Sequence, residues 1–229
     1  MKRRVFLAAP GGAPRAAFRA HVLAEIGPAV LVAAPGLDAL SVDLVDATPA
    51  VPPWQRPGEP GAASDPAFDA VLDMWGAPPA LDAALGAVRA RAGGATLLDV
   101  GVAETVEKDA LARLAGQRAP GVKFLSLMTF HDDLPAAVAR RLWAHHAALA
   151  LRVHVGMARY VRDWVETIPS GPLPVPGFHG VAELHFPSVE AMMARWFDSD
   201  AGRAAIIHDV GHFLSRATRL YTTEHVLKA

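Results

Sequence analysis

The sequence predicts an α+β fold in which two β-α-β-β-α-β units close, sheet against sheet, into one intramolecular barrel. Three observations point there. Short segments recur at a near-constant offset. Pro35-Gly36-Leu37 lies 120 positions before Val155-Gly156-Met157, Glu104-Thr105-Val106 lies 120 before Glu224-His225-Val226, and Phe68 to Met74 lies 110 before Phe178 to Leu184. Each half alternates β-branched and aromatic runs with Ala- and Leu-rich runs of helical period. Finally, an antiparallel sheet with helices on one face leaves an apolar face bare, which water disfavours until a second sheet covers it.

The elements follow in order. The first half, residues 1–115, reads as strand Arg3–Ala9, helix Pro14–Val32 and strand Leu37–Ala47. A long loop containing Pro52-Pro53-Trp54 and Pro57-Gly58-Glu59-Pro60-Gly61 comes next, then strand Asp69–Gly76, helix Pro79–Ala92 and strand Ala95–Thr105. Gly116 to Gly121 joins the halves. The second half, residues 121–229, opens with strand Gly121–His131; Asp132-Asp133 offers a helix cap and Pro135 a first turn. Helix Ala136–Arg152 ends near Gly156, and strand Met157–Ile168 precedes a proline-broken loop from Pro169 to Gly177. Strand His179–Phe186, a helix from Pro187-Ser188 through Trp196, a helical segment Asp198–Ser215 and strand Ala217–Leu227 complete it. This order is the split βαβ, or ferredoxin-like, arrangement in each half.

Composition removes several function classes. Of 229 residues 52% are hydrophobic and 20% charged, so the chain is ordered rather than disordered. Lys and Arg number 22 against 23 Asp and Glu, a net charge of -1, which gives no electrostatic case for nucleic acid or an anionic membrane. With no cysteine there is no disulfide, thiolate metal site or cysteine nucleophile. Gly-x-Gly-x-x-Gly, a P-loop and Gly-x-Ser-x-Gly are missing, so nucleotide use and a serine elbow have no support. Met1-Lys2-Arg3-Arg4 has the charge of a signal-peptide start, yet Pro10-Gly11-Gly12 cuts the apolar run that follows. No run reaches the roughly 18 apolar residues of a membrane span. A cytoplasmic location is expected.

The second half resembles the EthD family of dimeric α+β barrel proteins. The resemblance lies in Trp143-Ala144-His145-His146, Ala158-Arg159-Tyr160-Val161-Arg162-Asp163, Gly180-Val181-Ala182-Glu183-Leu184-His185-Phe186 and Asp209-Val210-Gly211-His212-Phe213. Ala148 departs from the family, which has proline there. By the same offsets Ile26 replaces His146 and Leu40 replaces Tyr160 in the first half, so that half is expected to be a degenerate repeat and the second to hold the site. The resemblance implies breakdown of ethers and other small organic compounds, or tailoring of aromatic polyketides. It also implies related barrels that act without an organic cofactor and others that bind haem. A homodimer of the whole chain is compatible with the family.

Nine of the ten histidines lie between His131 and His225. Histidine exchanges protons near neutral pH, so this suits acid/base work. His146 is expected to be the general base or acid, Asp209 to tune it, and Tyr160 to hold a substrate oxygen. Trp143, Trp164, Glu183, His185 and His212 are the expected substrate contacts. Tyr160, Arg162 and Trp164 share one strand face, as do Val181, Glu183 and His185. Met128, Met192, Met193 and Trp196 are expected in the core. His208-Asp209-Val210-Gly211-His212 is a weak variant of a zinc motif with no third ligand in sight, so no metal is expected. The expected chemistry is proton transfer beside a carbonyl, leading to isomerisation, dehydration or decarboxylation of a small apolar or aromatic compound. A haem-binding barrel and a non-catalytic ligand-binding or assembly module remain the alternatives.

Overall fold

The computed structural model describes residues 1–46, 67–170 and 177–229. The expected loop around Trp54, and most of that between Pro169 and Gly177, lie outside them. The first half runs β1 Lys2–Ala8, α1 Arg15–His21, α2 Gly27–Ala33, β2 Leu37–Val45, β3 Ala70–Gly76, α3 Pro78–Arg91 and β4 Thr96–Asp109. A two-residue strand, β5 Gln117–Arg118, lies in the connector. The second half runs β6 Val122–Phe130, α4 Ala136–Val153, β7 Arg159–Ser170, β8 Gly180–Phe186, α5 Val189–Arg195, α6 Asp200–Val210 and β9 Leu214–Lys228.

Several boundaries differ from expectation. The expected single helix Pro14–Val32 is interrupted by a π-turn at Val22–Ile26. There Gly27 donates its N–H five residues back to Val22, and Pro28 has no N–H to continue the α pattern. Pro135, not Asp132 or Asp133, caps α4, without a side-chain hydrogen bond. The strand expected to stop at Ile168 extends to Ser170. The helical segment expected through Ser215 ends at Val210, and the last strand begins at Leu214. The helix spanning residues 15–33 is apolar and long enough to cross a bilayer by length and composition, with mean hydropathy 1.4, where the sequence reading found no such run. Here it lies along the sheet and buries Phe18, Val22, Ile26 and Val30.

All strand pairs are antiparallel, in the order β2-β3-β1-β4-β7-β8-β6-β9, and β9 pairs back with β2 to close an eight-stranded barrel. β5 adds a short edge to β9. The two seams, β4–β7 and β2–β9, each join one half to the other. Helices cover the outside. Strand alternation sends Val5 and Leu7 outward to α1–α3, and Phe124, Tyr160 and Leu184 outward to α4–α6.

The barrel interior divides in two. One end is apolar, packed with Phe6, Phe68, Leu98, Leu125, Val181 and Leu220. The other is ionic. Lys2 Nζ contacts Glu104 Oε1 at 2.8 Å, Asp163 Oδ2 at 2.8 Å and Glu183 Oε1 at 2.6 Å. Lys123 Nζ contacts Glu224 Oε1 at 3.2 Å, Asp43 Oδ2 at 2.8 Å and Asp73 Oδ2 at 3.2 Å, and also Glu183 Oε2 at 3.0 Å. Lys2 therefore takes one carboxylate from its own half and two from the other, and Lys123 takes two from each. Arg4, fully buried, holds both oxygens of Asp73 and also reaches Glu183. The three carboxylates around Lys2 stand close enough for a divalent cation, but the ammonium already occupies their centre. Burial lifts the Asp43 and Asp163 carboxyls, while the neighbouring cations hold Asp73 and Glu183 low against the same burial.

Candidate active site

The site grows from α4. Ala, Leu and Arg favour a helix between residues 136 and 153. The inward stripe is Ala139, Trp143, His146, Ala147, Ala150 and Val153, spaced three and four apart. That periodicity buries His146 and leaves His145 in solvent. Helix α6 is capped by Ser199, whose side chain accepts from the Gly202 N–H at 3.0 Å. A Cβ at Gly202 would stand 1.9 Å from Asp198 Oδ1 and 3.0 Å from Val153 Cγ1, so a larger residue would displace the Asp198 carboxylate and press on α4. That seating brings Asp209, in the last turn of α6, to His146: Asp209 Oδ2 lies 2.7 Å from Nδ1. Just beyond, the Phe213 ring meets the imidazole edge-on, with centroids 5.5 Å apart.

Between α4, α6 and the outer face of β6, β7, β8 and β9 lies a cavity of about 380 Å³. Its wall is mainly apolar, with Phe124, Trp143, Leu184, Trp196, Ile206 and Phe213. The polar groups on it are Ser126, His146, His154, Tyr160, Arg203 and Arg219. An apolar pocket with few convergent polar groups is the usual form of a small-molecule site. Trp143 reaches its wall position because Gly180 has no side chain: a Cβ there would sit 2.5 Å from the indole.

Burial lowers the His146 pKa, despite the opposing effect of Asp209. The ring is therefore neutral at pH 7. Asp209 accepts the Nδ1 hydrogen, and the lone pair is left on Nε2. Tyr160 is buried, which raises its pKa far above the ordinary phenol value and keeps its hydroxyl protonated. The wall thus holds an acceptor and a hydroxyl donor.

The expected residues divide by position. His146, Tyr160 and Trp143 lie on the cavity, with Asp209 directly behind His146. Trp164 stays outside the lining, stacked on Phe130 at 5.3 Å with Arg140 4.4 Å over its ring. Glu183 and His185 share a face as expected, but it is the barrel interior, on the opposite side of the sheet. His185 Nε2 is 3.6 Å from Glu183 Oε2. His212 is exposed, its Nε2 3.4 Å from that of His208. Met128, Met192 and Trp196 are buried in the core as expected, Met128 and Trp196 also facing the cavity, whereas Met193 is exposed. Sequence reasoning passed over His154, Arg203 and Arg219. His154 carried a partial signal: eight residues after His146, it falls about 80° further round the helix, at the edge of the broad buried stripe.

Residues 131–217, spanning α4 through the start of β9, match the EthD domain model. The second half is thus similar to the EthD domain. No curated protein matches the sequence significantly. Among solved structures, an anthrone oxidase-like protein superposes with a TM-score of 0.60 at 13% identity, covering 100% of this chain and 93% of that one. A monooxygenase candidate from Lactobacillus acidophilus NCFM gives 0.54 at 9% identity, with 100% and 97% covered. Chlorite dismutase from Candidatus Nitrospira defluvii, in complex with imidazole, gives 0.52 at 11%, with 99% and 91% covered. At such identities the likeness is one of fold: a closed α+β barrel.

Proposed function

We propose that the EthD domain is an enzyme acting on a small apolar or aromatic compound by general acid/base catalysis without an organic cofactor. The observation that carries this is the His146–Asp209 pair, 2.7 Å apart, with the imidazole on the wall of an apolar cavity. In this reading Nε2 of His146 removes, as a proton, a hydrogen from a carbon beside the substrate carbonyl or conjugated to it through an aromatic ring. The electron pair moves onto the carbonyl oxygen, where the Tyr160 hydroxyl donates a hydrogen bond to the oxyanion. Return of the proton to another carbon gives isomerisation, and departure of a β-hydroxyl as water gives dehydration. When the electron pair comes instead from a carboxylate, loss of carbon dioxide gives decarboxylation. Asp209 holds the Nδ1–H tautomer and the ring orientation.

The chain is read as a tandem of ferredoxin-like units, residues 1–115 and 121–229, the first degenerate. The doubled ion pattern supports this: Asp43 and Asp163, Asp73 and Glu183, and Glu104 and Glu224 stand at the same 120, 110 and 120 offsets seen in the sequence repeat.

Anthrone, a tricyclic ketone with an acidic ring methylene, is a suitable probe. Under argon in deuterated buffer, the protein should accelerate exchange of that methylene, followed by proton NMR. One positioned base contributes about 10²–10⁴-fold, so His146→Ala should lose that much. Because burial lowers the His146 pKa, the wild-type rate should hold through the ordinary histidine range and fall only at more acidic pH, where the imidazole charges. Unaccelerated exchange in the wild type, or full exchange in a folded His146→Ala protein, sinks the assignment. A second reading uses the same residue, since a histidine with its Nδ1 held by a carboxylate is also a good ligand to haem iron. Nε2 of His146 would hold the iron, and haem would supply the redox chemistry. A Soret band after mixing with hemin, lost in His146→Ala, would select this reading.

A further inference from the structure

We propose that His154 is a second recognition residue, and that the ligand of this cavity carries two hydroxyl donors, one for His154 and one for His146, at opposite ends of an aromatic frame. This deepens the proposed function and rests on the cavity being the ligand site, though not on catalysis.

His154 lies on the cavity wall and is 5% exposed. Its Nδ1 is 2.5 Å from the Trp196 carbonyl oxygen, which can only accept, so Nδ1 bears the hydrogen. The other nitrogen, Nε2, then has a lone pair and no partner among the described residues. Burial pushes the His154 pKa down to about 4, which keeps the ring neutral and that lone pair available at pH 7. His146 repeats this arrangement, its Nδ1 turned to Asp209 and its Nε2 unpartnered. Unpartnered acceptors in an apolar wall are costly until a ligand donor meets them.

The two imidazoles occupy different parts of the cavity. Eight residues of helix separate their Cα atoms by about 12 Å. His146 meets Phe213, while His154 sits against Trp196 and Phe197, with centroids 5.3 and 5.5 Å away. Aromatic rings at both ends favour a flat, unsaturated frame. A ligand with one polar end satisfies one imidazole and leaves the other unpaired. A ligand with donors at both ends satisfies both, so the site should discriminate between them.

The test uses para,para′-biphenyldiol, its monomethyl ether and its dimethyl ether, with binding followed by quenching of tryptophan fluorescence. Methylation removes a donor and keeps the frame. Wild type should bind the diol about tenfold tighter than the monoether, the value of one well-made hydrogen bond to a buried acceptor. His154→Phe should bring that ratio close to one. His154→Gln, whose amide can donate to Trp196 and accept from the ligand, should restore most of it. A general loss of packing would weaken all three ligands alike and leave the ratio standing. Equal wild-type affinity for the three, or an unchanged ratio in His154→Phe, overturns this inference and leaves the proposed function in place. Failure of all three to bind overturns the cavity as ligand site, and this inference with it.

Discussion

Replacing Lys123 with methionine tests the ionic end of the barrel most directly. The ammonium is 1% exposed and touches four carboxylates, those of Asp43, Asp73, Glu183 and Glu224, at 2.8 to 3.2 Å. Methionine fits a similar volume but leaves these anions one cation short. Breaking a buried pair by removing one partner costs about 3–5 kcal/mol. That is a large share of the roughly 5–15 kcal/mol that holds a typical domain together. Burial already lifts the Asp43 carboxyl and Lys123 opposes that lift, so the variant's Asp43 should rise further and bind a proton. Such a carboxyl binds more protons folded than unfolded. Stability of the variant should therefore fall as pH rises from about 5 to 8, by up to about 1.4 kcal/mol per pH unit for each group affected. Urea unfolding followed by circular dichroism across this range, for the variant and wild type together, measures both quantities. Lys2→Met removes the matching ammonium and should behave alike. A loss under about 1 kcal/mol with no extra pH slope would refute the reasoning, because it would mean that the carboxylates do not depend on the ammonium.

Two further expectations concern the cavity. Asp209→Asn removes a charge-assisted bond worth about 1.5–3 kcal/mol, so the His146 pKa should fall by about one to two units. A nitrogen-15 titration of the ring should show this together with loss of the fixed Nδ1–H tautomer, and an unmoved titration contradicts the pairing. Gly180→Ala puts a methyl group against the Trp143 indole, and overpacking of this kind costs about 1–3 kcal/mol. The melting temperature should drop by several degrees. An unchanged value would mean that Trp143 does not rest where the structure puts it.

Much of this was legible because local patterns governed it. Helix period placed His146 inward and His145 outward, and strand alternation put Glu183 and His185 on a common face. Alternation does not say which side of the sheet that face meets, since the same spacing serves either. Glu183 and His185 were expected among the substrate contacts, and they face the barrel interior on the other side of the sheet from the cavity. Lys2 and Arg4 show the same limit. In sequence they look like the charged start of a secretion signal, and in the structure they are among the most buried residues. Only long-range strand pairing reveals the partners that make their burial tolerable. The His146–Asp209 contact spans 63 positions and was within reach because a family motif holds both residues. His154 belonged to no such motif and was passed over.

The way the strands close has a consequence for how this polypeptide can be taken apart. Each seam is shared, so a nick in the connector around residues 110–121 would free two pieces, each with two raw borders, and neither could finish its wall alone. The cavity is built only from residues 124–219, yet the sheet beneath it is held in a ring by neighbours from the other piece. The piece without the EthD match thus supplies both strand borders on which the cavity's sheet closes.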